Sequence, residues 1–208
     1  MNRKQPEKIQ IVYHELGHLF LALLFFPEFP FSKLTIGRQF LSEDDRSKGW
    51  HGGITFNIHR EHILNSLDQS DRYISILLAG ICTQNLFLLD VRDFEERVNY
   101  FLFSPFENMD TRGGAPDVQF AKPFIQNNLK NLLKNDLDYI KEILSFNFNY
   151  LTNPIVWKAI KSFAEVILES EKSVLTNQEM YTIIRTLEFD QFLVHNKWDI
   201  INSRYPLI

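Results

Sequence analysis

The stretch "IVYHELGHLFLALLFF", residues 11–26, sets His14, Glu15 and His18 inside one of the most apolar runs of the chain. An imidazole or carboxylate taken out of water without a partner costs several kcal/mol, so three such groups in a greasy segment need something to satisfy them. On a helix His14 and His18, four residues apart, share one face about one turn from each other, the separation that two ligands of a single metal ion require. Glu15 stands beside them, rotated by about 100°. The pattern is H-E-x-x-H, in which the histidines hold Zn²⁺ and the glutamate polarises a water. Ile9, Val12, Tyr13, Leu16, Leu19, Phe20, Leu23 and Leu24 recur at the three-and-four spacing of an amphipathic helix, with His14 and His18 along the border of its stripe. The competing reading is a pair of core histidines bonded to backbone or carboxylate.

The 208 residues suit one domain, or one domain with a helical extension, and are enough to bury a real core. A hydrophobic content of 45%, with 19 Phe, excludes a disordered chain, and a formal charge of -4 gives no basic footprint for nucleic acid. The single cysteine, Cys82, cannot form an internal disulfide and reads as a small core residue in a reducing compartment. The apolar run from Leu19 ends at Pro27, short of the ~20 residues of a membrane span. "MNRKQPEK" is basic, but no small-residue cleavage site follows the apolar region, so no signal peptide is expected. The expectation is a soluble, cytoplasmic protein.

Outward from the first helix, Pro27 and Pro30 break the pattern, "SKLTIG" (32–37) reads as a short strand, and "SEDDRSK" (42–48) as a charged loop. In "GGITFNIH" Ile54, Phe56 and Ile58 alternate with Thr55 and Asn57, as a strand with one buried face should. A helix is predicted from about Asp71 to Leu89, with Ile74, Leu77, Leu78 and Ile81 on one side. "FSPFENMDTRGGAP" (103–116) is loop, and another helix starts near Pro116, to be kinked or interrupted at Pro123. Helices follow over roughly 128–146, 154–170 and 176–187, the last opened by a capping box of Thr176 and Glu179. The aromatic tail from Gln191 is expected to pack somewhere.

A catalytic zinc usually has three protein ligands and a water. The completion H-E-x-x-H-x-x-G-x-x-H is excluded, because Leu21 and Leu24 stand where it needs glycine and histidine. A later segment must supply the ligand. "DTRGGAPDVQFA" (110–121) offers Asp117 where Gly113 and Gly114 let a turn feed a helix, and Asp71 is the rival. Each acid also reads as a helix-start group: Asp117 as a first-turn charge, Asp71 as an N-cap or first-turn charge. His51, His59, His62 and His195 read as surface or loop histidines.

Taken in order, "VYHELGHLFLALLF", "SKLTIG", "ILLAGICTQNLFL" and "TRGGAPDVQFA" resemble the peptidase domain of the FtsH family of zinc proteases. That family has a metal-binding helix of the form HEAGH, a short strand, a helix with a GGRAAEE-like segment, and a TGASNDLxRAT-like segment whose aspartate is the third zinc ligand. "NPIVWKAIKSFAEVILESEKSVLTNQEMYTII" is similar to its closing helical region, so the likeness covers roughly residues 9 to 188. His14, Glu15 and His18 match the first motif and Asp117 the last. The resemblance implies Zn²⁺ held by His14, His18 and Asp117, with Glu15 catalytic. It implies a mainly α fold with a small β-sheet: a zincin-like core over 9–126, a helical bundle over 127–190 packed on it, and a tail over 191–208.

The departures are specific. No G-x-x-x-x-G-K-[ST] loop occurs in these 208 residues, so the family's ATPase module is missing from them, as are its membrane helices. Gln84 and Asn85 stand where the family has acids, and Ile81 where it has Arg. The expected function is a zinc metallopeptidase acting on peptides or unfolded chains, with no nucleic acid and no membrane span. A homo-oligomer and a separately encoded ATPase partner stay open. The alternative is a non-catalytic binding or regulatory module that keeps the fold; the missing ATPase and the loss of the acids at Gln84 and Asn85 favour it, and the retained Glu15 opposes it.

Overall fold

The computed structural model describes residues 7–40, 48–58, 60–88, 115–132 and 135–204. The protein is mostly helical with a small three-stranded antiparallel sheet. Helix α1 (Lys8–Leu24) opens with the Glu7 backbone N–H donating to Gln10 Oε1 at 3.1 Å, which satisfies one of the donors a helix start leaves free. The predicted stripe is too narrow a description of this helix, because every residue from Val12 to Leu24 is buried. A helix that is apolar nearly all round belongs in the centre, and α1 is where the other layers meet.

Strand β1 (Phe31–Phe40) pairs with β2 (Lys48–Phe56), Leu34 opposite Ile54 and Ile36 opposite Gly52. Leu34 and Ile36 are buried, so alternation puts Gly52 and Ile54 on the same inner face. The sheet order is β2-β1-β3, where β3 (Val174–Thr176) arrives from far along the chain, Leu34 opposite Leu175. Among the described residues β2 is therefore an outer strand.

After α2 (Arg60–Leu64), helix α3 (Leu67–Leu88) crosses α1 closely. A Cβ at Gly17 would lie 2.4 Å from both the Ala79 carbonyl oxygen and Thr83 Oγ1, so only glycine permits this approach. α3 begins four residues before Asp71, which corrects the N-cap reading of that acid. Asp71 lies within the helix, 8% exposed, and accepts from Arg204 at 2.9 and 3.2 Å. The two opposite charges, both mostly withdrawn from water, favour each other there.

Helix α4 (Ala115–Leu132) runs on through Pro123, so of the expected kink or interruption the interruption does not occur. Pro123 and Gln119 are both exposed, so water can take the Gln119 carbonyl that loses its helical donor. The helix predicted over 128–146 is instead divided: α4 ends, Asn135 caps α5 (Asp136–Leu151) by accepting from the Asp138 N–H at 2.9 Å, and a new helix starts. Helix α6 (Pro154–Glu169) turns Val156, Ile160, Phe163 and Ile167 inward. α7 (Asn177–Thr186) carries the capping box of Thr176 and Glu179, as expected. The tail contains α8 (Phe189–Asn202), whose Phe189 and Ile201 are buried. The segment 42–47, His59 and most of the loop at 103–116, with Gly113 and Gly114, lie outside the described residues. No helix among the described residues is long and apolar enough to cross a membrane.

Candidate metal centre

α1 carries His14 and His18 on the face turned to α3, and the first turn of α4 brings Asp117 to them. His14 Nε2 lies 3.1 Å from His18 Nε2 and 2.9 Å from Asp117 Oδ2, and His18 Nε2 lies 3.6 Å from that same oxygen. Zinc–nitrogen and zinc–oxygen bonds of about 2.0–2.2 Å at tetrahedral angles put ligand atoms about 3.3 Å apart, so the three atoms have the spacing of one ion's ligands. His14 and His18 are 7% and 6% exposed.

The outer nitrogens fix which ring atom faces the centre. His14 Nδ1 meets Gln84 Oε1 at 3.1 Å, and His18 Nδ1 meets the Ile76 carbonyl oxygen at 2.7 Å. Both are acceptors, so each Nδ1 carries a proton and donates it, which leaves both Nε2 lone pairs pointing inward. Two lone pairs facing one another at 3.1 Å beside a carboxylate call for a positive charge, a proton or a metal ion. The titration behaviour expresses the same need. Burial alone would lower His18, but the Asp117 carboxylate, assisted by Glu15 and the Ile76 carbonyl, raises it to about 9. Burial alone would raise Asp117, yet when the histidines take up protons on Nε2, the His18 charge and the hydrogen bonds that both then donate hold its carboxyl well below the usual range. The donor set of two neutral imidazoles and one carboxylate fits Zn²⁺.

Glu15 is 5% exposed and faces the sheet: a Cβ on Gly52 would fall 2.4 Å from its Cγ and 2.7 Å from Oε1. Burial pushes its carboxyl up, the two histidines pull it down, and Asp117 pushes it up again. On the α3 side, a Cβ at Gly80 would lie 2.4 Å from His18 Nε2 and 2.7 Å from His14 Nε2. Gly80 thus gives the ring nitrogens their room. Ile76, Gly80 and Gln84 are spaced by four and form one stripe of α3 facing the histidines.

Of the residues singled out from the sequence, His14, His18 and Asp117 come together, and among the described residues they form a group able to hold a metal ion. Asp71 does not join them; it is engaged with Arg204. His195 is exposed and donates to the Gln191 carbonyl at 2.7 Å. Cys82 is buried, and burial pushes its thiol far up, as a core cysteine requires. The contacts of Gln84 and Gly80 with the histidines are not deducible from periodicity alone, although their four-residue spacing on a helix already places them on one face. No protein-family model matches the chain, and no curated protein is significantly similar to it.

Proposed function

We propose that this chain is a zinc-dependent peptidase of zincin-like, FtsH-peptidase-like architecture, which hydrolyses peptide bonds in peptides or unfolded chains. The observation that carries the reading is the convergence of His14 Nε2, His18 Nε2 and Asp117 Oδ2 at 2.9–3.6 Å, with both outer histidine nitrogens engaged by acceptors. These three residues would hold the ion. When bound, Zn²⁺ supplies Lewis acidity, which acidifies water and polarises a carbonyl.

Glu15 is the general base. Burial raises its affinity for a proton, so it accepts one from the attacking water and returns it to the leaving amine. Gly52 lets the inner face of β2 lie against that carboxyl, which a side chain would displace. The substrate adds as an extended strand along β2 from Gly53 to Phe56, because β2 is an edge strand among the described residues and main-chain hydrogen bonds hold a peptide whatever its sequence.

The test is metal analysis of the purified protein beside hydrolysis of casein by wild type and Glu15→Gln. The reading expects close to one zinc per chain, lost in His14→Ala and His18→Ala, and hydrolysis that depends on Glu15. Full zinc occupancy in both histidine variants removes the metal assignment. Zinc without any hydrolysis replaces the peptidase with a binding module.

A further inference from the structure

Among the described residues the histidines are oriented without an outer carboxylate. Gln84 Oε1 and the Ile76 carbonyl, the acceptors for His14 and His18, are both neutral. Gln84 is 5% exposed, buried beside the ring it contacts. With its amide oxygen toward the ring, Nδ1 of His14 carries the proton and Nε2 is free for an ion. A rotated amide would present N–H groups and force the proton onto Nε2, where it would block a metal. The acceptor end of one buried side chain therefore decides whether His14 can be a ligand.

We propose that Gln84 is a positioning residue of the metal centre: it holds His14 in the Nδ1–H form, and because it is an amide it keeps metal affinity below what a carboxylate in its place would give. This rests on the metal-centre reading above. A carboxylate acceptor orients the imidazole, raises its basicity and adds negative charge near the cation, whereas an amide only orients it and an aliphatic side chain does neither. Zinc affinity should therefore rise in the order leucine, glutamine, glutamate at position 84.

Competition with a chromophoric chelator measures zinc affinity for wild type, Gln84→Leu and Gln84→Glu, and imidazole nitrogen NMR shifts of the metal-free proteins report the tautomer of His14. Gln84→Leu is expected to bind zinc roughly 10–100-fold more weakly than wild type and to lose the Nδ1–H preference, while Gln84→Glu binds more tightly than wild type. Equal affinity of Gln84→Leu and wild type overturns the proposal, as does a Gln84→Glu variant no tighter than wild type. If Gln84→Leu does not fold, the wild-type protonation of His14 and the glutamate variant still decide it: a His14 without a proton on Nδ1 in the metal-free wild type overturns it. Failure of the metal-centre reading has its own signature, zinc affinity unchanged in His14→Ala, and that result overturns both.

Discussion

Glu15 shares a helical turn with His14 and His18 but points toward the sheet, against Gly52, which leaves its carboxyl outside the group that could hold a metal ion. Glu15→Gln should keep zinc and lower turnover by about 10²–10⁴-fold, the usual contribution of a general base; zinc lost with the activity would make Glu15 a ligand instead. Asp117 and Asp71 provide the complementary contrast. Asp117→Ala should sharply weaken zinc binding. Asp71→Ala should leave zinc in place but remove the charged hydrogen bonds to the partly buried Arg204, at a cost of about 1.5–3 kcal/mol in a urea melt. Zinc lost from Asp71→Ala and kept by Asp117→Ala would reverse the two roles. The histidine pair was legible because its spacing is local. Asp71 was not, since its partner lies 133 residues away and no helix-start rule carries that information.

At the scale of elements, the site depends on how closely α1 and α3 cross. Gly17→Ala drives a methyl into the Ala79 carbonyl and should cost about 1–3 kcal/mol as overpacking. Gly80→Ala pushes against Nε2 of His14 and of His18 and, on the proposed metal site, should in addition weaken zinc; a chelator competition in which Gly80→Ala matches wild type would separate α3 from the proposed metal centre. Local signals were readable from sequence here: Thr176 and Glu179 close the capping box that their spacing announces. β3 was not readable, because three residues become a strand only by pairing with Thr35, Leu34 and Lys33 of β1. Glu179 also gives a pH-dependent expectation. The Lys172 ammonium and the Thr176 N–H and hydroxyl lower its carboxyl from 4.5 to about 2. A depressed folded value stabilises above pH 4.5 and the contribution fades as pH falls toward 2. The difference in melting temperature between wild type and Glu179→Gln should thus be larger at pH 6 than at pH 3, and small at both because the pair is at the surface.

For the whole molecule, the question is what the proposed metal centre beside a small sheet could reach. A strand-binding cleft accepts a segment that is already extended, whereas a folded substrate keeps its backbone in its own hydrogen bonds. Exposing such a segment in a stable protein means overcoming an unfolding free energy of about 5–15 kcal/mol. These 208 residues contain no G-x-x-x-x-G-K-[ST] loop through which nucleotide hydrolysis could supply it. The chain is therefore expected to cleave short peptides and unstructured proteins, to leave stable folded domains intact, and to be indifferent to ATP. At 5 kcal/mol, the lower end of that range, fewer than about one substrate molecule in a thousand is open at a given moment, so cleavage of a folded domain should be slower than that of its unfolded form by at least that factor. Timed digestion of one substrate domain in its folded form and as a destabilised, unfolded variant, with and without ATP, measures both parts. Equal rates on the two forms would place the cleavage at sites outside folded structure, and stimulation by ATP would mean that the chain binds nucleotide through residues its sequence does not reveal.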